Sequence, residues 1–324
     1  MWIFREEEIR ELIRVNDEAI GAVEEAFTAL SEGKVRQPPV LRVDIPEHRG
    51  ELDVKTAVIQ GEEYFAVKMS SGFFDNPKWG LPSLSGMMIL FSTRTGVPEA
   101  LFLDNGYLTD VRTAAAGAVA AKHLAPEEVD SVGVIGAGTQ ARYQILALAQ
   151  VRPFRRLRVY ARDPARGEAY AEEMTRRLSV EVRVADSAEE VVRNSDVVVT
   201  TTPATEPLIR AEWLHPGLHI TAMGSDAEHK QELEPRVLER ADRRVCDAKS
   251  QCFRLGEMRS AKEAGLLSET DVVELGEIAS GRHPGRERQE EITVCDLTGT
   301  GVQDTAIALM AFRSLRANGL GTRL

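Results

Sequence analysis

Directly after the apolar run 132–135 the chain reads Gly136-Ala137-Gly138-Thr139-Gln140-Ala141, then continues in a helical pattern to residue 151. Few local patterns restrict a fold as tightly as a strand, a glycine turn and a helix in immediate succession. Gly136 suits the tight turn, Gly138 leaves room for another group to approach the backbone, and Ala141 lets the helix pack close to the strand. The first N–H groups of the helix lack intrahelical partners and sit at the positive end of its dipole, so they attract phosphate. A glycine turn with a purely structural role is the plain alternative. The strand–turn–helix context favours dinucleotide binding by Gly136, Ala137, Gly138, Thr139 and Gln140.

Strands and helices alternate from there on. Residues 156–160, 180–184, 196–200 and 219–223 read as strands, with helices at 164–178 and 188–193. That alternation predicts parallel strands with right-handed crossovers, hence a doubly wound α/β sheet of the Rossmann type. Upstream the pattern differs. Apolar residues at three- and four-residue steps predict a helix over 17–33, capped by Asp17 and stopped by Gly33. Short apolar stretches at 41–45, 54–59, 64–70, 87–92 and 100–103 read as mostly antiparallel strands. An alanine-rich helix follows from Thr109 or Asp110 to Leu124, and a last helix runs from Gln303 or Asp304 to about Ala317. The expected organisation is a smaller α+β domain over 1–115, completed by the helix in 303–324, and a dinucleotide domain over 116–302.

Composition narrows the partners. Asp plus Glu number 51 against 40 Lys plus Arg, a net charge of −11, which repels nucleic acid and comes with no basic stripe to offset it. No apolar run approaches the ~20 residues that span a bilayer. The three cysteines have neither disulfide-framework nor zinc-ligand spacing, and the N-terminus lacks a signal-peptide pattern, so a reducing cytoplasm is expected and a metal is not. A 324-residue chain of 43% hydrophobic and 28% charged residues has ample core of its own.

The cofactor is read from the second strand. An acidic residue at its tip would accept from a ribose 2′-OH, but here Tyr160 and Ala161 are followed by Arg162, Asp163-Pro164 and Arg166. Two arginines suit a 2′-phosphate, so NADP(H) is expected over NAD(H). Asp163 also suits the N-cap of the next helix, with Pro164 in its first turn.

Across nearly its whole length the sequence resembles the ornithine cyclodeaminase/mu-crystallin family. The resemblance is carried by Val67-Lys68-Met69, Leu108-Thr-Asp-Val-Arg112-Thr-Ala-Ala-Ala, the Gly136 turn, Val199-Thr-Thr-Thr-Pro203, Ala222-Met-Gly-Ser-Asp226, Glu274-Leu-Gly-Glu277 and Gly299-Thr-Gly-Val-Gln-Asp304. Within the family, Asp53-Val-Lys-Thr-Ala57, Gly72-Phe-Phe-Asp-Asn-Pro77 and Gly224-Ser-Asp-Ala-Glu-His-Lys230 look closest to cyclodeaminase-like proteins of ectoine utilisation.

The resemblance implies a Rossmann domain plus a substrate and dimerisation domain, acting with a nicotinamide cofactor on a C=N or C–N bond beside a carboxylate. It assigns the carboxylate to Lys68 and Arg112, and less surely to Arg42. Arg112 is expected in the first turn of its helix, where a bound anion is favoured. Asp226 matches the cyclodeaminase catalytic aspartate, a group able to exchange a proton with the substrate nitrogen, with Lys68 as its companion. Thr201, Thr202, Met223, Gly299 and Gly301 match the cofactor loops, with Gln303 beside them and Asp304 capping the last helix. His229, like Glu228, follows Asp226 closely enough to line the same pocket, although a lone histidine is more often structural.

One departure stands out. Lys55 occupies the position, thirteen residues before Lys68, where the cyclodeaminases carry a glutamate suited to a distal ammonium. Lys55 repels such a group, which argues against ornithine and suits a neutral or acidic side chain; as the alternative it is a surface lysine. The expectation is a homodimeric NADPH-dependent reductase or dehydrogenase of a small α-imino or α-amino acid, related to diaminobutyrate. Its alternatives are a cyclodeaminase that recycles its cofactor and a non-catalytic NADPH-dependent ligand-binding protein.

Overall fold

A computed structural model describes residues 1–324 as two compact units, Met1–Arg112 with Thr300–Leu324, and Thr113–Gly299. The chain passes between units at 112/113 and 299/300, against the expected 115/116 and 302/303.

The first unit opens with β1 (Trp2–Arg5), α1 (Glu6–Leu12) and α2 (Asp17–Ser31). Sequence periodicity missed β1 and α1, because a four-residue strand running straight into a charged helix has no period of its own. The cap of α2 is Asn16, whose side chain accepts from Ala19 N at 3.0 Å, rather than Asp17. Strands β2 (Val35–Arg36), β3 (Leu41–Ile45), β4 (Gly50–Ile59), β5 (Tyr64–Phe73), β6 (Leu84–Ser92) and β7 (Pro98–Leu103) follow. They form a largely antiparallel sheet to which β1 adds in parallel beside β7.

α3 (Tyr107–Leu124) begins earlier than expected, because Asp104, not Thr109 or Asp110, accepts from Leu108 N at 2.8 Å. Arg112 is therefore the sixth residue of α3, beyond its first turn, where the helix N-terminus does not favour a bound anion.

The second unit runs through β8 (Ser131–Ile135), α4 (Thr139–Val151), β9 (Arg156–Tyr160), α5 (Pro164–Leu178), β10 (Glu181–Val184), α6 (Ala188–Arg193), β11 (Val197–Thr200) and β12 (His219–Ala222). It continues with α7 (Pro235–Arg240), β13 (Arg243–Cys246), α8 (Lys249–Leu255), α9 (Glu257–Glu263), β14 (Val273–Glu274), α10 (Leu275–Ala279) and β15 (Thr293–Asp296). All eight strands are parallel, in the order β10-β9-β8-β11-β12-β15-β13-β14. The order reverses between β8 and β11, the switch point where such sheets bind ligands. Core side chains such as Val132, Val134, Val197 and Val199 fill the sheet face under α4 and α5.

The chain then returns to the first unit as α11 (Gly301–Ala317) and β16 (Thr322–Arg323). α11 lies on the sheet face presented by Ala57, Ala66, Leu90 and Ala100. Small residues there permit a close approach. Thr305 Oγ1 donates to Ala57 O at 2.7 Å and accepts from Ala66 N at 3.1 Å, pinning the helix to β4 and β5. A Cβ at Gly301 would meet Thr56 O at 2.5 Å, so only glycine lets the first turn sit there.

Candidate active site

Cross-strand register brings together the candidate substrate-binding residues of the first unit. Lys55 on β4 pairs with Lys68 on β5, which pairs with Met88 on β6, which pairs with Phe102 on β7. Directly opposed residues share a face of a sheet, so both lysines point to the side that α11 covers, and both are buried. The surface-lysine reading of Lys55 is excluded by that burial.

Asp304 meets this row. Its carboxylate is fully buried, with Lys68 Nζ at 3.2 Å and Arg112 Nε at 3.0 Å. Arg112 Nη1 also donates to Gln303 Oε1 at 2.8 Å, while Gln303 Nε2 is buried with no protein partner. Asp304 is thus the counter-ion of two predicted carboxylate-binding cations. It is not a helix cap: α11 starts after Thr300. Burial pulls the Lys68 ammonium down from the usual value near 10.5 to about 7; Asp304 opposes the shift, and Arg112 and Lys55 add to it. A lysine held near neutrality exchanges protons readily as well as attracting anions.

Arg42 is engaged differently. It is ringed by Asp44 at 2.9 Å, Glu51 and Asp53 at 3.7 Å, and these carboxylates raise its pKa against the opposing effect of burial. Three acidic neighbours leave little net positive field for a substrate carboxylate.

The candidate dinucleotide-binding residues lie in the second unit. Gly136 has φ +115°, and a Cβ there would meet Thr201 Oγ1 at 2.5 Å, so the turn requires glycine and packs against the Thr201-Thr202 segment. At Gly138 a Cβ would find nothing within 4 Å, the open space a pyrophosphate needs. Gly138 precedes Thr139 with no side-chain cap, leaving the first N–H groups of α4 available to phosphate. Ala141 is buried, and its carbonyl accepts from Tyr170 Oη at 3.1 Å. The residues present therefore fit a dinucleotide. Past Tyr160, Arg162 and Arg166 stand exposed, and Asp163 caps α5 by accepting from Ala165 N at 3.1 Å.

Asp226 follows β12 on a loop closed on itself. Ser225 Oγ donates to Lys230 O at 2.9 Å, and Lys230 Nζ donates to Asp226 Oδ1 at 2.6 Å. Lys230 is buried, while His229 and Glu228 are exposed. The residue that touches Asp226 is thus Lys230, which sequence reasoning passed over in favour of His229. The i+4 spacing of an acid and a lysine was the available signal. Glu232 went unnoticed as well, because nothing in a linear sequence marks a glutamate as buried. Gly299 belongs to the cofactor unit, where its N–H donates to Asp247 Oδ2 at 2.7 Å, whereas Gly301 opens α11 in the other.

A doubly wound parallel sheet with a glycine cradle at its switch point, in a chain that also buries Lys55, Lys68 and Arg112, points to a dinucleotide-dependent enzyme. Residues 2–319 match the ornithine cyclodeaminase/mu-crystallin family, and the chain belongs to it. It is 51% identical to an uncharacterized cyclodeaminase of Sinorhizobium fredii over 99% of this chain and 98% of that one. The structure of Delta(1)-pyrroline-2-carboxylate reductase from Thermococcus litoralis, in complex with NADH and L-proline, superposes with a TM-score of 0.95 at 31% identity, covering 100% of both chains. An archaeal alanine dehydrogenase dimer with bound NAD gives 0.93 at 36% identity, over 100% of this chain and 98% of that one.

Proposed function

We propose that this protein reduces the C=N bond of a small α-imino acid, with NADPH preferred and NADH accepted. The reaction class is that of its relatives: one reduces an imino acid related to proline, and another dehydrogenates alanine. Three buried cations support this reading: Lys68 and Arg112, both paired with Asp304, and Lys55 opposite Lys68 across the strands; together they attract a carboxylate and oppose a distal ammonium. That opposition disfavours ornithine. The resemblance to ectoine-utilisation proteins and the charge of Lys55 together suggest an imino acid derived from diaminobutyrate whose distal nitrogen is acylated, or one ending in a carboxylate.

The dinucleotide supplies and accepts the hydride. Arg112 and Lys68 orient the substrate carboxylate, with Gln303 Nε2 as a further donor. Asp226, held by Lys230 and partly exposed, relays a proton from solvent to the substrate nitrogen in reduction and returns it to solvent in dehydrogenation. Gly136, Gly138 and the start of α4 would hold the pyrophosphate of a bound dinucleotide, and Thr201, Thr202 and Met223 would flank it. Incubation with NADPH and a panel of cyclic and acyclic α-imino acids tests the function. Stoichiometric NADPH oxidation is expected. Ammonia release from an α,ω-diamino acid incubated with NAD(P)+, with no net change in cofactor, would mean a cyclodeaminase, and tight ligand binding without turnover a binding protein.

The preference for NADPH rests on Arg162 and Arg166 standing exposed beyond β9 with no carboxylate at the strand tip. Arg162→Ala should weaken NADPH by about 1.5–3 kcal/mol and leave NADH nearly unchanged, as measured by fluorescence titration. Equal losses for both cofactors would remove the 2′-phosphate assignment.

Homodimerisation is supported by the sheet face opposite α11. Register places Leu41, Val54, Met69 and Met87 in one row there, with Ile89 and Leu101 on the same face, and Leu41, Val43 and Met87 are exposed. An apolar sheet face of this extent calls for a cover, and a second copy of the same sheet matches it. Sedimentation at micromolar concentration should give twice the 35.7 kDa chain mass; a fully active monomer would refute it. A cytoplasmic location suits the three free, buried cysteines, and no helix is long and apolar enough to cross a membrane.

A further inference from the structure

Four donors from two loops converge on one carboxylate in the cofactor unit. Glu232 Oε1 accepts from Thr202 N and Thr202 Oγ1, both at 2.6 Å. Its Oε2 accepts from Thr200 Oγ1 at 2.6 Å and from Gly224 N at 2.8 Å. The side chain is fully buried. Thr200 ends β11, at the switch point, and Thr202 lies two residues beyond it; Gly224 lies on the loop after β12 that carries Asp226. The contact is close enough to dictate sequence: a Cβ on Gly224 would lie 2.1 Å from Thr202 O and 2.5 Å from Glu232 Cδ. Thr201, between the two threonines, is the residue against which Gly136 packs.

The backbone of Glu232 is fixed in turn. Its N–H and that of Leu233 donate to Glu257 at 2.7 and 3.1 Å, and its carbonyl accepts from Leu208 N and Ile209 N at 2.7 and 3.1 Å. Glu257 is itself buried, at the start of α9. Burial and the nearby Glu232 push the Glu257 carboxyl up to about 8, so at neutrality it adds little charge to that of Glu232.

We propose that Glu232 is a positioning residue for the reaction: its carboxylate sets the spacing between the Thr200–Gly136 side of the cofactor cradle and the loop that presents Asp226. It touches neither substrate nor cofactor. A carboxylate is required because four donors need an acceptor with two oxygens and no N–H of its own. Glutamine keeps the shape but sets an N–H2 group against a backbone N–H whichever way the amide is oriented, Thr202 N on one side or Gly224 N on the other, so at least one of the four bonds becomes a donor–donor clash; the threonine hydroxyls can turn to accept, but the backbone cannot. The inference rests on the dinucleotide reading of the Gly136 turn, but not on the identity of the substrate.

Glu232→Gln is therefore expected to raise the dinucleotide Kd at least tenfold. It should also lower kcat about tenfold at saturating cofactor, since Asp226 is displaced together with the cradle. Circular dichroism and the cooperativity of melting should be retained. A structural role alone would lower Tm and leave kcat at saturation unchanged, and that result would overturn the proposal. If the glutamine variant is insoluble, Thr200→Val removes one of the four bonds from the other side and should raise Kd about threefold; an unchanged Kd would equally overturn it. Wild-type protein that binds no dinucleotide would instead overturn the cofactor reading on which the proposal rests.

Discussion

Replacing Asp226 by Asn is expected to lower kcat by ~10²–10⁴-fold while leaving fold and dinucleotide affinity intact. General acid–base help is typically of that size, equivalent to about 3–5 kcal/mol of barrier. Asparagine keeps the volume and still accepts from Lys230 Nζ, which donates to Asp226 Oδ1, so the 224–232 loop should hold its shape. It cannot deliver a proton at neutral pH. The dinucleotide phosphates belong at the Gly136 turn, on the β8–α4 connection, so cofactor affinity should be untouched. Were Asp226 only a loop-ordering residue, the variant would bind poorly and react at the normal rate once saturated. Steady-state kinetics at saturating NADPH and substrate separate the two outcomes, and a wild-type kcat would take Asp226 out of the mechanism.

Lys68→Met should lower kcat/KM by roughly 30-fold to several-thousand-fold, the equivalent of about 2–5 kcal/mol for removing one partner of a buried charge contact. Methionine fills the space, and Asp304 keeps Arg112 as its ion partner at 3.0 Å, so the fold should survive. The pH dependence is the more distinctive result. The Lys68 ammonium is pulled by burial to about 7 in the free protein, and it is the charged form that attracts a carboxylate. As pH rises through 7 the charged fraction falls, so wild-type kcat/KM should decline above neutrality. In Lys68→Met that inflection should vanish. A wild-type profile flat from pH 6 to 9 would contradict the assignment of Lys68 to the substrate carboxylate.

Where chemistry is local, the sequence was a good guide. The Gly136-to-Ala141 turn, the helix at Pro164–Leu178 and the strand at Arg156–Tyr160 each follow from residues close in the chain. The far half of the parallel sheet was not legible. β13 begins with Arg243-Arg244 and β15 reads Thr-Val-Cys-Asp, four-residue strands too short and too polar to show a period. Their burial comes from neighbours that only the tertiary fold supplies.

The candidate site divides along the same line. Lys68 and Arg112 were singled out through motifs, but their shared partner was not. Asp304 had the pattern of a helix cap, because an acidic residue near a helix start usually is one; its partners lie more than 190 residues away in the chain, brought together when α11 packs on β5. Glu232 gave no signal at all, since a buried carboxylate among backbone donors looks like any surface glutamate until the loops close around it. Lys55 is the intermediate case. Its departure from the cyclodeaminase pattern was visible, and its cross-strand place beside Lys68 turns that departure into a statement about substrate charge.

Net reduction at the carbon beside the carboxylate leaves a label that can be followed. NADPH carrying deuterium at the transferable C4 position, supplied with an α-imino acid, should yield an amino acid with one deuterium on its α-carbon. One cofactor should be oxidised per product, and the nitrogen should be retained. Release of ammonia with the label still on the cofactor, or an unlabelled product, would contradict the account.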